Sequence, residues 1–177
     1  MLYLVECDFI DPALEAEWNA FYSGDKLRAL LSVSGFLSSQ RFSCIHGDSP
    51  KYLAVHSIVH EHVLAGDEYQ QKGGGSFGTW QPHIGNWKRS IYRGMARAPA
   101  VSSSQALILG RSMPIENSRN EYALLESLAA DAPGNSPSRR WLMVKDSVRA
   151  DDFKLFEDVS IYLPITACLT ADNIARG

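Results

Sequence analysis

The sequence predicts an α+β fold in which two antiparallel sheet modules follow one another along the chain. One strand pattern occurs twice, as Lys51-Tyr-Leu-Ala-Val-His-Ser-Ile58 and as Arg140-Trp-Leu-Met-Val-Lys-Asp-Ser147. Each copy follows a strand-then-helix unit, Leu2 to Tyr22 in the first half and Gln105 to Leu128 in the second, which is how a duplicated module reads.

Leu2 to Phe9 alternates as a strand, and Asp11-Pro12 opens a helix because Asp is a natural N-cap and Pro is tolerated in the first turn. Leu14, Trp18 and Phe21/Tyr22 recur at helical spacing, and Ser23-Gly24 is expected to end that helix. A short helical turn over Lys26 to Leu31, a strand over Phe36 to Cys44, a turn at Gly47 to Pro50 and a strand over Tyr52 to Val59 follow. His60 to Gln71 is helix-compatible, Gly73 to Gly78 is a loop, and Asn86 to Met95 forms the fourth strand. Strand, helix, strand, strand, helix, strand is the order of a ferredoxin-like unit.

Ala96 to Ser104, rich in Ala, Pro and Ser, reads as a linker. The organisation predicted is a module over 1–95, a linker over 96–104 and a truncated second ferredoxin-like module over 105–177. Its elements are a strand at Gln105 to Gly110, a helix at Asn117 to Ala130, a loop at Asp131 to Pro137, a strand at Arg140 to Lys145, a helix at Ala150 to Glu157 and a strand at Ser160 to Thr170. Trp18 and Tyr52 stand 34 residues apart but Tyr122 and Trp141 only 19, so the second copy lacks roughly a loop and an edge strand.

The chain has 177 residues, 45% of them hydrophobic and 21% charged, and a net charge of −3, which suits a folded soluble protein. That balance gives no broad basic footprint for nucleic acid or an anionic membrane; Lys88, Arg89 and Arg93 alternate with apolar residues as a strand would. The three cysteines, Cys7, Cys44 and Cys168, are far apart in apolar runs and read as buried free thiols. The amino terminus lacks the basic and small-residue features of a secretion signal, so a cytoplasmic protein is expected.

Trp18-Asn19-Ala-Phe-Tyr22, Leu30-Leu31-Ser-Val-Ser-Gly35-Phe36, Arg41-Phe42 and Pro50-Lys-Tyr52-Leu-Ala-Val-His-Ser-Ile58 resemble the dimeric α+β barrel superfamily, in particular its EthD-like members. The likeness covers about half of the chain; where such families typically carry His-Leu-Pro after the first helix, Asp25-Lys26-Leu27-Arg28 stands here. It implies two sheets facing each other around a barrel interior, usually contributed by two subunits. Members include cofactor-free monooxygenases, polyketide cyclases, isomerases, lyases and haem enzymes.

Alternation groups Leu4, Glu6 and Asp8 on one face of the first strand, Tyr52, Ala54 and His56 on one face of the third, and Trp87, Arg89, Ile91 and Arg93 on one face of the fourth. With the more apolar faces toward the helices, Glu6, His56 and Arg89 or Arg93 would meet inside the barrel, where a carboxylate, an imidazole and a cation could abstract a proton and stabilise an enolate. The alternative is a buried structural polar network. Glu6, His56 and Arg93 are thus the catalytic candidates, with Tyr52, Arg89, Trp80 and His83 around the substrate, the last two on the aromatic loop Gly78 to Trp87. His60 and His62 point about 200° apart on a helix and cannot share a metal there. Neither a phosphate-binding glycine loop nor a nucleophile elbow is present.

The function expected is a small cofactor-independent enzyme acting by proton transfer, of isomerase, lyase or cyclase type, on an aromatic or carbonyl-bearing metabolite. The alternative is a non-catalytic small-molecule-binding protein of the same fold. A ferredoxin-like sheet leaves one face uncovered, and a truncated second copy covers it incompletely, so a homodimer is expected.

Overall fold

The computed structural model describes residues 1–111, 122–128, 137–146 and 158–174. The first half supplies β1 (Leu2–Phe9), β2 (Phe36–His46), β3 (Tyr52–Ile58) and β4 (Ile84–Arg93). The second supplies β5 (Gln105–Gly110), β6 (Tyr122–Ser127), β7 (Arg139–Asp146), β8 (Val159–Pro164) and the short β9 (Leu169–Thr170). The strands run in the order β3-β1-β4-β6-β7-β5-β8-β2, and β2 pairs with β3, so eight antiparallel strands close a barrel within one chain while β9 flanks β2. Closure satisfies the backbone donors and acceptors that an open sheet edge would leave unpaired.

Two layers of core follow from the alternation. Leu2, Leu4, Phe42, Leu53, Val55, Tyr92, Leu107, Leu109, Leu125, Leu142 and Tyr162 fill the barrel interior. Tyr3, Val5, Cys7, Tyr52, Ala54 and Ile91 face outward beneath a helical cover that buries Trp18, Tyr22, Leu27, Leu30 and Tyr69. That cover is α1 (Glu15–Phe21), a π-helical turn (Tyr22–Lys26) running directly into α2 (Leu27–Leu31), and, after β3, a 3-10 segment (Glu61–Ala65) with α3 (Asp67–Gln71). A last turn, α4 (Ala171–Ile174), follows β9. No helix among the described residues is long and apolar enough to cross a membrane.

The four strands of the first half lie where alternation predicts them. Ser23-Gly24 does not stop the first helix, because Ser23 serves inside the π-helical turn as a hydrogen-bond acceptor for Arg41. Residues 122–127 of the expected helix Asn117 to Ala130 are strand β6, paired with β4 on one side and β7 on the other. Ala, Leu and Glu favour helix there, but the gap between two strands outweighs local preference. The rest of that helix, the helix at Ala150 to Glu157 and most of the loop at Asp131 to Pro137 lie outside the described residues. The expected final strand is two pieces, β8 and β9. The inner face of the first-half sheet is the barrel interior, and the strands of the second half of the same chain cover it.

The segment read as a linker is tied down. Val101 is buried in the inner core, its N–H donates to Gln40 Oε1 at 3.0 Å, and Gln40 Nε2 donates to Val101 O at 2.7 Å and to Thr166 O at 2.9 Å. Gln40 thereby closes one end of the barrel with both segments. Gln40→Ala should lower the unfolding free energy by about 2 kcal/mol, because buried backbone groups lose their partners. Urea denaturation checks it: an unchanged midpoint would mean the segment is not held by this side chain.

Candidate functional site

Register decides what each face of the barrel can do. Along β1 and β3, Tyr3 stands opposite His56 and Glu6 opposite Leu53. Cross-strand partners share a face, so His56 faces the helical cover and Glu6 faces the interior. The expected meeting of Glu6 and His56 therefore does not occur, since each strand's alternation was readable but not the register between them. On β4, Arg89 and Arg93 share the outer side with Ile91, while Lys88, the partner of Glu6, turns inward. Inside the barrel the cation beside Glu6 is Arg140, with Nη2 3.0 Å from Oε2.

A cleft of about 460 Å³ opens on the outer face between the sheet and the 3-10 segment. Tyr3, Arg89 and Ile91 form its sheet side, and Glu61, His62, Leu64 and Ala65 form the other. The Tyr3 hydroxyl lies 3.1 Å from that of Tyr69, which also accepts from the Gly75 N–H at 2.9 Å. Burial, then the neighbouring Tyr69, raises the Tyr3 phenol well above its ordinary range, so it is a neutral hydrogen-bonding group. Arg89 packs over the Trp87 ring at 5.0 Å and has no ion-pair or hydrogen-bond partner among the described residues. Arg93 is exposed and reaches Glu61 at 3.7 Å. A hydrogen bond from its own backbone N–H, then nearby His62 and Arg93, lowers the Glu61 carboxyl and keeps it ionised at neutral pH.

Behind Tyr3 lies a small cavity of about 20 Å³, bordered by His56, Lys26, Tyr22, Tyr69, Phe77 and Trp87. His56 is fully buried, stacks on Tyr3 at 5.5 Å, and places Nδ1 2.7 Å from Ser39 Oγ, while Nε2 has no protein partner. Burial and the charge of Lys26 push its pKa down to about 3, which keeps the ring neutral. Lys26 closes the π-helical turn and donates to the carbonyls of Gly73 and Ser76, the latter at 2.7 Å. Burial lowers its pKa to about 8. π-Helical turns gather at functional positions because they re-aim one side chain without ending the helix.

The remaining expected site residues lie elsewhere in the outer layer. The Tyr52 hydroxyl accepts from Asn19 at 2.8 Å and donates to Glu15 at 2.9 Å, beneath α1. Trp80 packs on Phe9 and Phe21, and His83 stacks on Phe9 and sits 3.4 Å from Asp11. Tyr52 ties β3 to α1, Trp80 packs between Phe9 of β1 and Phe21 of α1, His83 packs on β1, and none of the three lines the cleft. Glu61 and His62 lie in the 3-10 segment that follows β3, and in the sequence His62 stands out only as one of a histidine pair. Among the described residues no cluster of His, Cys, Asp and Glu could hold a metal ion.

No family model matches the chain, and no curated protein matches it. Solved structures do. An anthrone oxidase-like protein superposes with a TM-score of 0.57 at 10% identity, covering 96% of this chain and 92% of its own. A "putative monooxygenase" from Lactobacillus acidophilus NCFM gives 0.52 at 10% identity over 96% of both chains. A protein of the same description from Fusobacterium nucleatum gives 0.53 at 8% identity, covering 94% of this chain and 92% of that one. At these identities the likeness shows the fold, an antiparallel α+β barrel spanning nearly the whole chain.

The depressed His56 pKa has a consequence for stability. Between its folded value near 3 and its ordinary value of 6.5 the unfolded chain binds more protons, so the native state loses stability as pH falls through that window. Relative to His56→Gln, the wild type should lose stability below pH 6.5, with a limiting slope of about 1.4 kcal/mol per pH unit. Parallel urea titrations of both proteins would show a constant difference if His56 were protonated in the fold.

Proposed function

We propose that this protein is a small enzyme that moves a proton on an aromatic, carbonyl- or hydroxyl-bearing molecule held in the outer cleft. The carrying observation is Arg89, a cation without an anionic partner among the described residues, lining a cleft beside the neutral Tyr3 phenol. A guanidinium and a phenol aimed at one oxygen stabilise an enolate or phenolate as it forms. Glu61 and His62 supply the carboxylate and imidazole that can accept and return the proton, and Arg93 orients Glu61. Charge therefore develops at the substrate oxygen facing Arg89 while the proton leaves toward the 3-10 segment.

The names of the three structural neighbours support an oxidisable small molecule as substrate. An anthrone is an aromatic ketone with an acidic C–H, and loss of that proton gives a resonance-stabilised anion. The apolar side chains of Ile91 on one side and of Leu64 and Ala65 on the other, with the Arg89 cation in the same lining, suit such a flat anion. The same reading takes the two halves as tandem ferredoxin-like modules of dimeric α+β barrel type, supported by the matching orders β2-β3-β1-β4 and β6-β7-β5-β8.

A second reading, a non-catalytic binder of the same ligands, is favoured by the lowered Glu61 pKa, because a carboxylate tied to its own backbone and to Arg93 is a weak base. Incubation with a panel of aromatic ketones and phenols in D2O separates the two. The enzyme reading expects catalysed C–H exchange, followed by NMR, with oxygen uptake recorded in parallel, and a loss of roughly 100-fold in Arg89→Met. Ligands that bind and protect against heat, yet neither exchange nor are consumed, would establish the binder.

A further inference from the structure

We propose that the cavity at one end of the barrel interior, on the opposite face of the sheet from the outer cleft, is a binding site for a small oxyanion held by Lys88 and Arg140. A cavity of about 350 Å³ lies there, at the end remote from Gln40 and the Val101 segment. Its volume falls at the lower end of small-molecule sites, roughly 300 to 1,000 Å³.

Charge at the floor is unbalanced. Glu6 is 1% exposed and faces two cations: Arg140, whose side chain is 9% exposed, and Lys88, its cross-strand neighbour. Arg140 spends Nη2 on Glu6 at 3.0 Å, but Nη1 is buried with no hydrogen-bond partner. Lys88 has no hydrogen-bond or ion-pair partner among the described residues. Among the described residues, two cations against one carboxylate leave a net positive charge at the floor, where solvent screening is weaker, while Asp48, Asp158 and Arg111 stand exposed at the rim, where screening is strong.

The wall is built for close approach. Ser49 and Ser160 join hydroxyls at 2.7 Å beside the cavity, and Gly47, at φ +99°, lies so near β8 that a side chain there would strike the Val159 carbonyl. An oxyanion seated on this floor would accept from Lys88 Nζ and, once the guanidinium turns toward the cavity, from Arg140 Nη1, and no proton, electron or bond is transferred. A carboxylate and a phosphate share this donor requirement, and the cavity takes either.

Amide NMR titrations with inorganic phosphate and with benzoate, against sodium chloride at matched ionic strength, distinguish the two sources. At least one of these probes is expected to shift the Gly47 and Gly110 amides saturably beyond the chloride control. Lys88→Met should weaken that binding about tenfold or more, because one charged donor is lost. Lys88→Gln, which keeps the chain polar, should do the same, whereas the rim variant Arg111→Met and the outer-cleft variant Arg89→Met should leave it within about twofold. The proposal is overturned if neither probe exceeds chloride, if the Lys88 variants bind like wild type, or if Arg89→Met rather than Lys88→Met abolishes binding. Arg89→Met also separates this site from the cleft, whose failure as a catalyst would leave these titrations unchanged.

Discussion

The outer layer depends on a buried cation, Arg41. It rises from β2 with no exposed surface, and no carboxylate pairs with it among the described residues. Its charge is held instead by geometry: Nη1 donates to Asn19 O at 3.2 Å and Ser23 Oγ at 2.8 Å, and Nη2 donates to Asn19 Oδ1 at 2.9 Å. The rings of Tyr22, Trp18 and Tyr52 stand 4.2, 4.8 and 5.4 Å from the guanidinium carbon. Burial lowers its pKa to about 10, so it stays charged at neutral pH. An unpaired charge in such a place is tolerated only when dipoles and ring faces surround it, which requires the helical cover to sit in one position.

That position transmits to the cleft. Ser23, gripped by Arg41, lies within the π-helical turn, and the turn delivers Lys26 to the carbonyls of Gly73 and Ser76. The loop so anchored presents the Gly75 N–H to Tyr69, and Tyr69 meets Tyr3 at the floor of the outer cleft. An arginine on β2 thus fixes a phenol on β1 through contacts that follow one another without a gap. Pre-organisation of this kind is what a site aimed at a developing charge requires, since nothing has to reorient as the charge appears.

Much of the first half was legible in the sequence because alternating strands and Gly or Pro turns are local signals. The site was less so, for reasons that particular residues make plain. Glu6 and His56 were assigned to one cavity because each sat on a tidy strand face, yet pairing Tyr3 with His56 puts them on opposite sides of the sheet. Arg140 was visible as the first residue of the repeated strand, on one face with Leu142 and Val144, but only barrel closure brings β7 across from β1. Residues 122–127 have the composition of a helix and became a strand because two partners flank them. The aromatic loop with Trp80 and His83 carried a functional signal by composition alone, and its rings are consumed in packing on Phe9 and Phe21.

His56 Nε2 and Arg140 Nη1 are both buried without protein partners, yet the spaces beside them differ in kind. Each is carried on a strand paired on both sides, so backbone movement cannot relieve either one without breaking a ladder. Beside His56 the cavity measures about 20 Å³, room for a single water molecule and no more. The cavity that Arg140 lines measures about 350 Å³ and is also bordered by Lys88. A neutral imidazole is satisfied by one water, whereas a guanidinium paired with one carboxylate, beside an ammonium that has no partner among the described residues, leaves net charge whatever water they bind. Volume and charge together therefore leave His56 Nε2 with room for one water and make Arg140, with Lys88, the place where the interior of the barrel can recognise something from outside.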